Sequence, residues 1–479
     1  MVISIVPVSA LPPAAQMALL AAYVLIAGLV TAHVLLRKRD VRAALGWIGV
    51  AWLSPLLGGF LYYVFGINRV TRRALRFEKI ENENGKTESS VSPDVSAPIA
   101  ALARIGERVT GAALAAGNDV AVLHGGREAY PAMLEAIRGA QRNVALASYI
   151  FRDDETGRAF GDALIEAHGR GVAVRVLLDS IGSGYIYSGI LRRLRQGGVP
   201  AARFLHTWVP WRMPFLNMRN HKKLLIADGA VGFAGGLNIG AENTAKRGQK
   251  SFVDDVHVRV EGPAVRQLMD TFAQDWAFTT GEDLDAAIWW PALTAKGPVC
   301  ARGIRSGPDA DLYKIEAILG AALEQARRRV RIVTPYFLPD TRLLFAIAQA
   351  RLRGIAVDIV IPARSDYFFL DWAMRAHLRF FQGAPETIWF SPPPFDHAKL
   401  MTVDGEWCLI GSSNWDTRSF RLNFEFDLEC YDRALTADID ARIDEKIAQS
   451  ETLDREKLMG APRWMQLRDA AVRLMLPYL

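Results

Sequence analysis

The sequence predicts an α/β protein in which two similar βαβ domains follow an N-terminal pair of apolar helices. Three observations lead to this prediction: two long uncharged runs near the N-terminus, an order of strand-like and helix-like segments that occurs twice, and one polar motif that occurs in both repeats. The chain has 479 residues. This length allows two or three domains, because single cores usually stop growing near about 250 to 300 residues.

The two apolar runs come first. No Lys, Arg, Asp or Glu precedes Arg37, and a second uncharged run extends from Ala43 to Ile67. Each run supplies the roughly 20 apolar residues that a bilayer-spanning helix needs. We therefore expect transmembrane helices at about 15–36 and 44–66, forming a hairpin within residues 1–79.

Two alternatives to a hairpin fit less well. A cleaved signal peptide needs a charged start, a short apolar core and a small-residue cleavage site, and this N-terminus lacks that order. A buried soluble hairpin is disfavoured because both charge-free runs exceed ordinary core helices in length.

The charge and the cysteine content of the chain indicate its cellular compartment and the type of partner it binds. Both flanks of the second run are basic, so the positive-inside rule decides orientation only weakly. Cys300, Cys408 and Cys430 are an odd number without framework spacing, which is typical of reduced thiols and favours the cytoplasmic side for the rest of the chain. The net charge of +6 indicates an anionic partner, either lipid headgroups or nucleic acid.

The rest of the chain repeats one order of segments. RGVAVRVLLD at Arg170–Asp179 corresponds to RGIAVDIVIP at Arg353–Pro362. Apolar runs with aromatic residues lie upstream of each, at Ala145–Phe151 and Ile332–Asp340. Strand, helix, strand therefore occurs twice, which predicts βαβ units and a mainly parallel sheet in each half.

Composition sets the predicted boundaries. Residues 80–98 are rich in Glu, Ser, Asn and Pro and have too few apolar side chains to fold alone, so we expect a flexible linker there. The first domain is expected at 99–285, a crossover at 286–299 and the second domain at 300–479.

Both repeats carry the motif H-x-K-x4-D-x6-G-[GS]-x-N. Its members in the first repeat are His221, Lys223, Asp228, Gly235, Gly236 and Asn238, and in the second His397, Lys399, Asp404, Gly411, Ser412 and Asn414. Because residues two apart on a strand share a face, each histidine and its lysine project together. Each Asp-Gly pair lies between two strand-like runs and predicts a tight hairpin. The following glycines let backbone approach a ligand, and the asparagines bring amide donors to it.

Such a set suits a phosphodiester. Lysine supplies donors and positive charge for the developing charge on phosphorus, while histidine can attack, protonate or deprotonate near neutral pH. A metal site is a weaker alternative, because each cluster has one histidine beside a cation and no thiolate or second imidazole at ligand spacing. Hydrogen-bonded core histidines would explain one motif better than two. We expect no metal and no cofactor, since two lysines and two asparagines can hold the phosphate.

These residues resemble the paired HKD motifs of the phospholipase D superfamily, and their surroundings resemble bacterial cardiolipin synthases. The resemblance extends over nearly the whole chain, including the N-terminal hairpin, TPYFLPD at Thr334–Asp340 and the stretch from His397 to Asp432. It implies two phospholipase D-like βαβ-sandwich domains related by pseudo-twofold symmetry, which together build one active site. It also implies that Asp228 and Asp404, although part of the catalytic motif, are mainly structural.

In this superfamily each motif histidine is paired with a downstream carboxylate. Glu425 occupies that position in the second half, and Asp255 matches it in the first, with Asp254 as a rival. A carboxylate on one ring nitrogen fixes the tautomer and raises the basicity of the other nitrogen. The resemblance therefore implies that Asp255 and Glu425 orient the two histidines.

The implied reaction is transfer of a phosphatidyl group from one phosphatidylglycerol to another, giving cardiolipin and glycerol through a phosphohistidine. By the resemblance His221 is the nucleophile and His397 the general acid and then base, although the symmetry of the motifs does not choose between them. Gly236, Asn238, Ser412 and Asn414 would bind substrate. The rival functions are a phosphodiesterase or nuclease that uses water, and a non-catalytic binder of anionic lipid or nucleic acid.

The expected partners are phosphatidylglycerol and other anionic membrane lipids, with no nucleic acid. The sequence does not decide whether the protein forms a homo-oligomer or whether phosphatidylethanolamine can serve as the second substrate. The expected location is the bacterial inner (plasma) membrane, with a multi-pass anchor and cytoplasmic catalytic domains.

Overall fold

A computed structural model describes residues 12–38, 41–66, 95–97, 99–208, 218–245, 252–308, 310–381 and 387–475. The predicted linker at 80–98 lies almost entirely outside these residues. The described residues divide into two compact units, one that contains residues 12–38 and 41–66 and one that contains the other described residues.

The described α-helices are numbered in chain order. They are α1 Pro13–Arg37, α2 Val41–Leu53, α3 Pro55–Leu61, α4 Ala100–Thr110, α5 Gly125–Gly139, α6 Glu155–Gly169, α7 Gly189–Gln196, α8 Val265–Thr280, α9 Lys314–Gln325, α10 Thr341–Leu352, α11 Phe368–Leu378, α12 Thr417–Arg421, α13 Arg433–Ala448, α14 Arg455–Met459 and α15 Arg463–Met475.

The N-terminal unit contains α1 to α3 and a π-helical turn at Tyr62–Gly66. Among the described residues, α1 is the one helix long and apolar enough to cross a membrane, judged by length and composition. The prediction of one continuous second helix at 44–66 is wrong, because the chain breaks at Ser54 between α2 and α3. Pro55 disfavours helical backbone at the residue before it, and Ser54 adopts φ −147° and ψ 80°.

The second unit is built on one mixed sheet. Its strands and the short paired strands beside it are β1 Ala115–His124, β2 Asn143–Ser148, β3 Ala173–Asp179, β4 Ala201–Phe204, β5 Arg219–Asn220, β6 Leu224–Ala227, β7 Val231–Gly235, β8 Val253–Asp254, β9 Val256–Glu261, β10 Val299–Ser306, β11 Arg329–Val333, β12 Phe337–Leu338, β13 Ala356–Pro362, β14 Ile388–Ser391, β15 Phe395–Asp396, β16 Leu400–Val403, β17 Trp407–Gly411, β18 Trp415–Asp416, β19 Asn423–Tyr431 and β20 Glu451–Thr452.

The strand order shows the internal repeat directly. Outward from the centre the first half runs β1-β9-β7-β6-β2-β3-β4, and the second half runs β10-β19-β17-β16-β11-β13-β14 with β20 at the edge. The halves join where β1 pairs antiparallel with β10. Each strand of one half therefore has a counterpart at the same place in the other, as the repeat in the sequence predicts.

The prediction of a mainly parallel sheet is wrong. Along the described strand order, parallel pairing occurs in β2-β3-β4 and in β11-β13-β14, and the other neighbours are antiparallel. The short strand β5, which lies beside this order, also pairs in parallel with β19. The predicted hairpins are the reason. Asp228 and Gly229 have φ of 53° and 61°, and Asp404 and Gly405 have 56° and 71°, the pattern of tight turns that reverse β6 into β7 and β16 into β17.

Each half has its own apolar core. One cluster collects buried residues from Ala129 to Ile239, and the other extends mainly from Cys300 to Leu458. The second cluster also contains Ile99, Leu102, Ala103 and Leu114. Helix α4, which the sequence assigns to the first domain, thus packs in the core of the second half.

Candidate active site

The two motifs meet through short strands that cross between the halves. Strand β5 pairs in parallel with the start of β19, so that Asn220 lies opposite Phe424. Strand β15 pairs in parallel with β8, so that Asp396 lies opposite Asp254. In each pair the next residue on one strand is a motif histidine and the next on the other is a carboxylate.

This register produces two buried histidine–carboxylate pairs. His221 Nδ1 lies 2.8 Å from Glu425 Oε2, and His397 Nδ1 lies 2.7 Å from Asp255 Oδ2. The imidazole ring centroids are 6.5 Å apart. Because a reacting group sits roughly 3 Å from each catalytic atom, one phosphate between the rings can reach both.

The pairing is crossed, which differs from the sequence-based expectation. Downstream position suggested that each carboxylate serves the histidine of its own half, whereas Glu425 bonds the first-half histidine and Asp255 the second-half one. Asp254, the rival of Asp255, instead pairs with Arg442 and Lys446 at 3.0 and 3.1 Å. The reason is tertiary: the parallel bridges align each histidine with a strand of the opposite half.

The sheet register explains why Asp255 and Glu425 are equivalent despite different spacing from their motifs. Gly235 lies opposite His257, and Gly411 lies opposite Asp427. Each orienting carboxylate precedes that opposite residue by two positions, so both lie on the same face of corresponding strands.

The motif lysines lie beside their histidines. Lys223 Nζ donates to the His221 carbonyl at 2.6 Å, and Lys399 Nζ lies 2.8 Å from His397 Nδ1. Both lysines are buried. Together they place two ammonium groups in a site closed to most solvent, where charge stabilisation exceeds that in water.

Burial and the lysines set the protonation states. Burial, then Lys223 and Lys399, lower the pKa of His221 well below its usual value, and burial and Lys399 lower the pKa of His397 to about 3. Burial lowers the pKa of Lys223 to about 7. Burial opposes ionisation of Asp255, but Lys399 and His397 outweigh it and lower its pKa, whereas burial raises the pKa of Glu425. Both imidazoles are therefore neutral and available as bases.

The motif aspartates lie away from the histidines, at the hairpin turns. Asp228 accepts backbone hydrogen bonds from Gln141, Arg142 and Asn143 at 2.6 to 3.1 Å. Asp404 accepts from the corresponding residues 327–329 at 2.8 to 2.9 Å. Strand β6 or β16, about 13 Å long, separates each aspartate from its lysine. These carboxylates bond the backbone beside the turns, so a mainly structural role stays the prediction for both.

The proposed substrate-binding residues occupy unequal positions. A Cβ at Gly236 would lie 2.1 Å from Asp255 Oδ1, so this glycine leaves room for the orienting carboxylate. The Ser412 hydroxyl is held by the backbone of Phe426, at 3.2 and 2.9 Å, and its carbonyl oxygen lies 3.2 Å from His221 Nδ1. In this structure the Ser412 hydroxyl is thus engaged by backbone, and its predicted contact with substrate stays a prediction.

The two asparagines differ in how their amides are used. Asn238 Oδ1 accepts from the Ile150 backbone at 3.2 Å. Asn414 is 6% exposed, and its Oδ1 has no hydrogen-bond partner. The unpartnered atom is an acceptor, whereas a phosphodiester needs the Nδ2 donor of the same amide, so substrate binding by either asparagine stays a prediction.

Two tyrosines beside the histidines were not predicted. Tyr149 follows β2 and lies 4.8 Å from His221 between ring centroids, and Tyr336 follows the equivalent strand β11 and lies 6.5 Å from His397. Tyr336 also donates to Asp366 at 2.5 Å. The signal was a tyrosine soon after β2 and soon after β11, in SYIF and PYFL.

No group of three or more His, Cys, Asp or Glu side chains that could hold a metal ion occurs within the described ranges. The charge on a bound phosphate would therefore be met by the motif lysines. That turnover needs no divalent ion stays a prediction.

The sequence matches the family model described as "Cardiolipin synthase, PLD-like domain" over residues 133–276 and 319–447. It is 31% identical over 458 residues to the major cardiolipin synthase ClsA of Bacillus subtilis, covering 92% of this chain and 95% of that protein. It is 32% identical to a cardiolipin synthase of Geobacillus thermodenitrificans, covering 93% and 90%. A phosphatidylserine synthase structure from Haemophilus influenzae aligns with a TM-score of 0.61 at 15% identity, covering 79% of this chain and 100% of that one, which shows a shared fold.

Proposed function

Since the chain belongs to the family of cardiolipin synthases with PLD-like domains, we propose that it condenses two phosphatidylglycerol molecules into cardiolipin and glycerol through a phosphohistidine. The observation that carries the proposal is the crossed pair of histidine–carboxylate contacts, which holds two neutral imidazoles with their centroids 6.5 Å apart. One ring can attack phosphorus while the other serves the leaving oxygen.

In the first step His221 Nε2 attacks the phosphorus of phosphatidylglycerol, and the bond from phosphorus to the headgroup glycerol oxygen breaks. His397, which takes up a proton when the phosphodiester binds, gives this proton to that oxygen, so glycerol leaves neutral, and the second step returns the proton to His397. Bound phosphate offsets the lysine charges that lower the pKa of His397, and Asp255 stabilises its imidazolium. The ionised Asp255 beside His397 supports this division of roles over the reverse one.

In the second step a hydroxyl of another phosphatidylglycerol gives its proton to His397, and its oxygen attacks phosphorus. The P–N bond breaks, and His221 is restored. Lys223 and Lys399 stabilise the negative charge on the phosphoryl oxygens in both steps, and Asn414 offers its amide to them.

We also propose that both N-terminal apolar segments cross the membrane, the second as a broken helix, with the catalytic part on the cytoplasmic side. Prolines are tolerated in membrane helices when nearby groups satisfy the backbone. Here Ser54 N donates to Val50 O at 3.0 Å and Gly58 N to Ser54 O at 2.6 Å, so hydrogen bonding continues across the break.

The product of the reaction shows whether a lipid hydroxyl or water accepts the phosphatidyl group. The full chain in vesicles with labelled phosphatidylglycerol should give cardiolipin and glycerol with little phosphatidic acid, because the anchor holds the site where lipid hydroxyls are concentrated. His221→Ala and His397→Ala are the matched controls for background turnover. Phosphatidic acid as the main product would replace transfer with hydrolysis.

A further inference from the structure

We propose that two loops around the candidate active site form a rim that docks onto the surface of an anionic bilayer. The rim consists of residues 180–188, which follow β3, and residues 363–369, which follow β13. This inference rests on the proposed function, because it assigns the surface by which the same site meets its lipid substrate.

Both loops expose large apolar side chains. In the first loop Ile186 and Tyr187 are 83% and 66% exposed, and in the second Tyr367 and Phe368 are 51% and 65% exposed. Single exposed apolar side chains are ordinary, but exposed apolar side chains grouped in one patch mark an interaction surface, and aromatic ones are typical of the interface between a membrane and water. Since β3 and β13 are counterparts in the repeat, the exposure is a symmetric feature of the fold.

The rim is one residue layer away from the histidines. In the first half a Cβ at Gly182 would lie 2.1 Å from the Tyr149 carbonyl oxygen, and Tyr149 contacts His221. In the second half Asp366 accepts from Tyr336, whose ring lies beside that of His397. A surface that contacts both loops therefore meets the entrance of the site.

The charge beside the first loop fits anionic headgroups. A cavity of about 380 Å³ next to Ile186 and Tyr187 is lined by Arg192, Arg195 and Arg203, and no carboxylate is among the described residues that line it. Two of these guanidinium groups are fixed by backbone carbonyls: Arg195 donates to Ala201 and Arg203 to Tyr185, at 3.1 and 2.7 Å. Each basic side chain near an anionic surface contributes about 1 kcal/mol to attraction.

The second loop has a similar neighbour. Phe368 packs edge-on against Trp372 with centroids 4.9 Å apart, and the Arg468 guanidinium lies 4.1 Å above the Trp372 ring while it also pairs with Asp469 at 2.8 Å. An aromatic group joined to a cation in this way suits the headgroup region of a bilayer. Docking of a second copy is the alternative occupant of this surface, and energy transfer between labelled copies tests for it.

Lipid contact can be measured without turnover. We would place a fluorophore on Ile186→Cys or Phe368→Cys in the full chain; the native cysteines are buried and should react little. In phosphatidylglycerol vesicles carrying nitroxide lipids, both positions should be quenched. Leu352→Cys is the control, because Leu352 is 79% exposed but lies before the first residue of β13, at the opposite end of this strand from residues 363–369. Equal quenching at all three positions, or at none, would overturn the rim, as would energy transfer between labelled copies without lipid quenching.

Turnover gives the second readout. The Tyr187→Ser/Phe368→Ser double variant should lose roughly tenfold in activity on phosphatidylglycerol in bilayers and keep its activity on a short-chain, monomeric form. Leu352→Ser should change neither activity. Equal loss on both forms would mean damage to the site and would refute docking. If the wild type turns over neither form, the proposed function is wrong, while the quenching result still decides the rim.

Discussion

The crossed histidine–carboxylate pairing predicts which variants share a defect. Glu425→Gln should behave like His221→Ala, and Asp255→Asn like His397→Ala, because each carboxylate bonds the histidine of the opposite half. If the carboxylates served their own halves, the two correspondences would be exchanged.

The size of the effect follows from the geometry of the pair. With Nδ1 and Oε2 2.8 Å apart, the centres of charge of an imidazolium and a carboxylate are roughly 4 Å apart, which gives about 4 kcal/mol at an effective dielectric constant near 20. A neutral amide of the same shape keeps a hydrogen bond worth about 1 kcal/mol. The net loss of about 3 kcal/mol corresponds to roughly a hundredfold slower step.

The affected step is read from the covalent intermediate. Rapid mixing with phosphate-labelled phosphatidylglycerol, followed by an alkaline detergent quench that preserves phosphohistidine, measures protein-bound label against time. His221→Ala should carry no label, and Glu425→Gln should form it roughly a hundredfold more slowly than wild type. His397→Ala and Asp255→Asn should retain label, because resolution also needs the proton acceptor.

The comparison with the histidine variants makes the test independent of which histidine is the nucleophile. If the two histidine variants exchanged behaviour, the nucleophile would be His397, and the carboxylate variants should exchange with them. Glu425→Gln behaving like His397→Ala, with Asp255→Asn behaving like His221→Ala, would refute the crossed pairing as a functional arrangement.

Three further predictions concern protonation, the hairpin turns and metals. The pKa of Lys223 is lowered by burial to about 7. The side chain is therefore charged below that pH, and kcat/KM should fall as pH rises through about 7. Lys223→Arg should move the fall to higher pH, and an unchanged pH profile would contradict the assignment of the fall to Lys223. Asp228→Asn or Asp404→Asn should lower the free energy of unfolding by about 1 to 3 kcal/mol, measured as a lower Tm. The folded enzyme should keep its activity, because Asn tolerates the left-handed backbone. Loss of activity without loss of stability would give these residues a chemical role. Activity should survive EDTA, and loss that zinc or magnesium restores would contradict a lysine-based site.

The sequence was most informative where chemistry and local geometry coincide. The family resemblance that the motif carries implied that His221 and His397 belong to one site, and the Asp-Gly pairs predicted the two hairpins. The same hairpins contradict the mainly parallel sheet that the βαβ order suggested, because each one adds antiparallel strands beside the parallel ones. Pro55 was visible in the second apolar run, yet hydropathy averages over a window and does not register a single backbone break.

By itself the sequence determined the repeat, the residue types of the site and the apolar N-terminus, because strand periodicity, turn residues and hydropathy are local properties. Only the tertiary structure decided which carboxylate serves which histidine, since that depends on the register of β5 with β19 and of β15 with β8. It also decided that α4 packs in the second core and that Tyr149 and Tyr336 lie beside the histidines. Such contacts join segments up to about two hundred residues apart, and a pattern read along the chain cannot specify them.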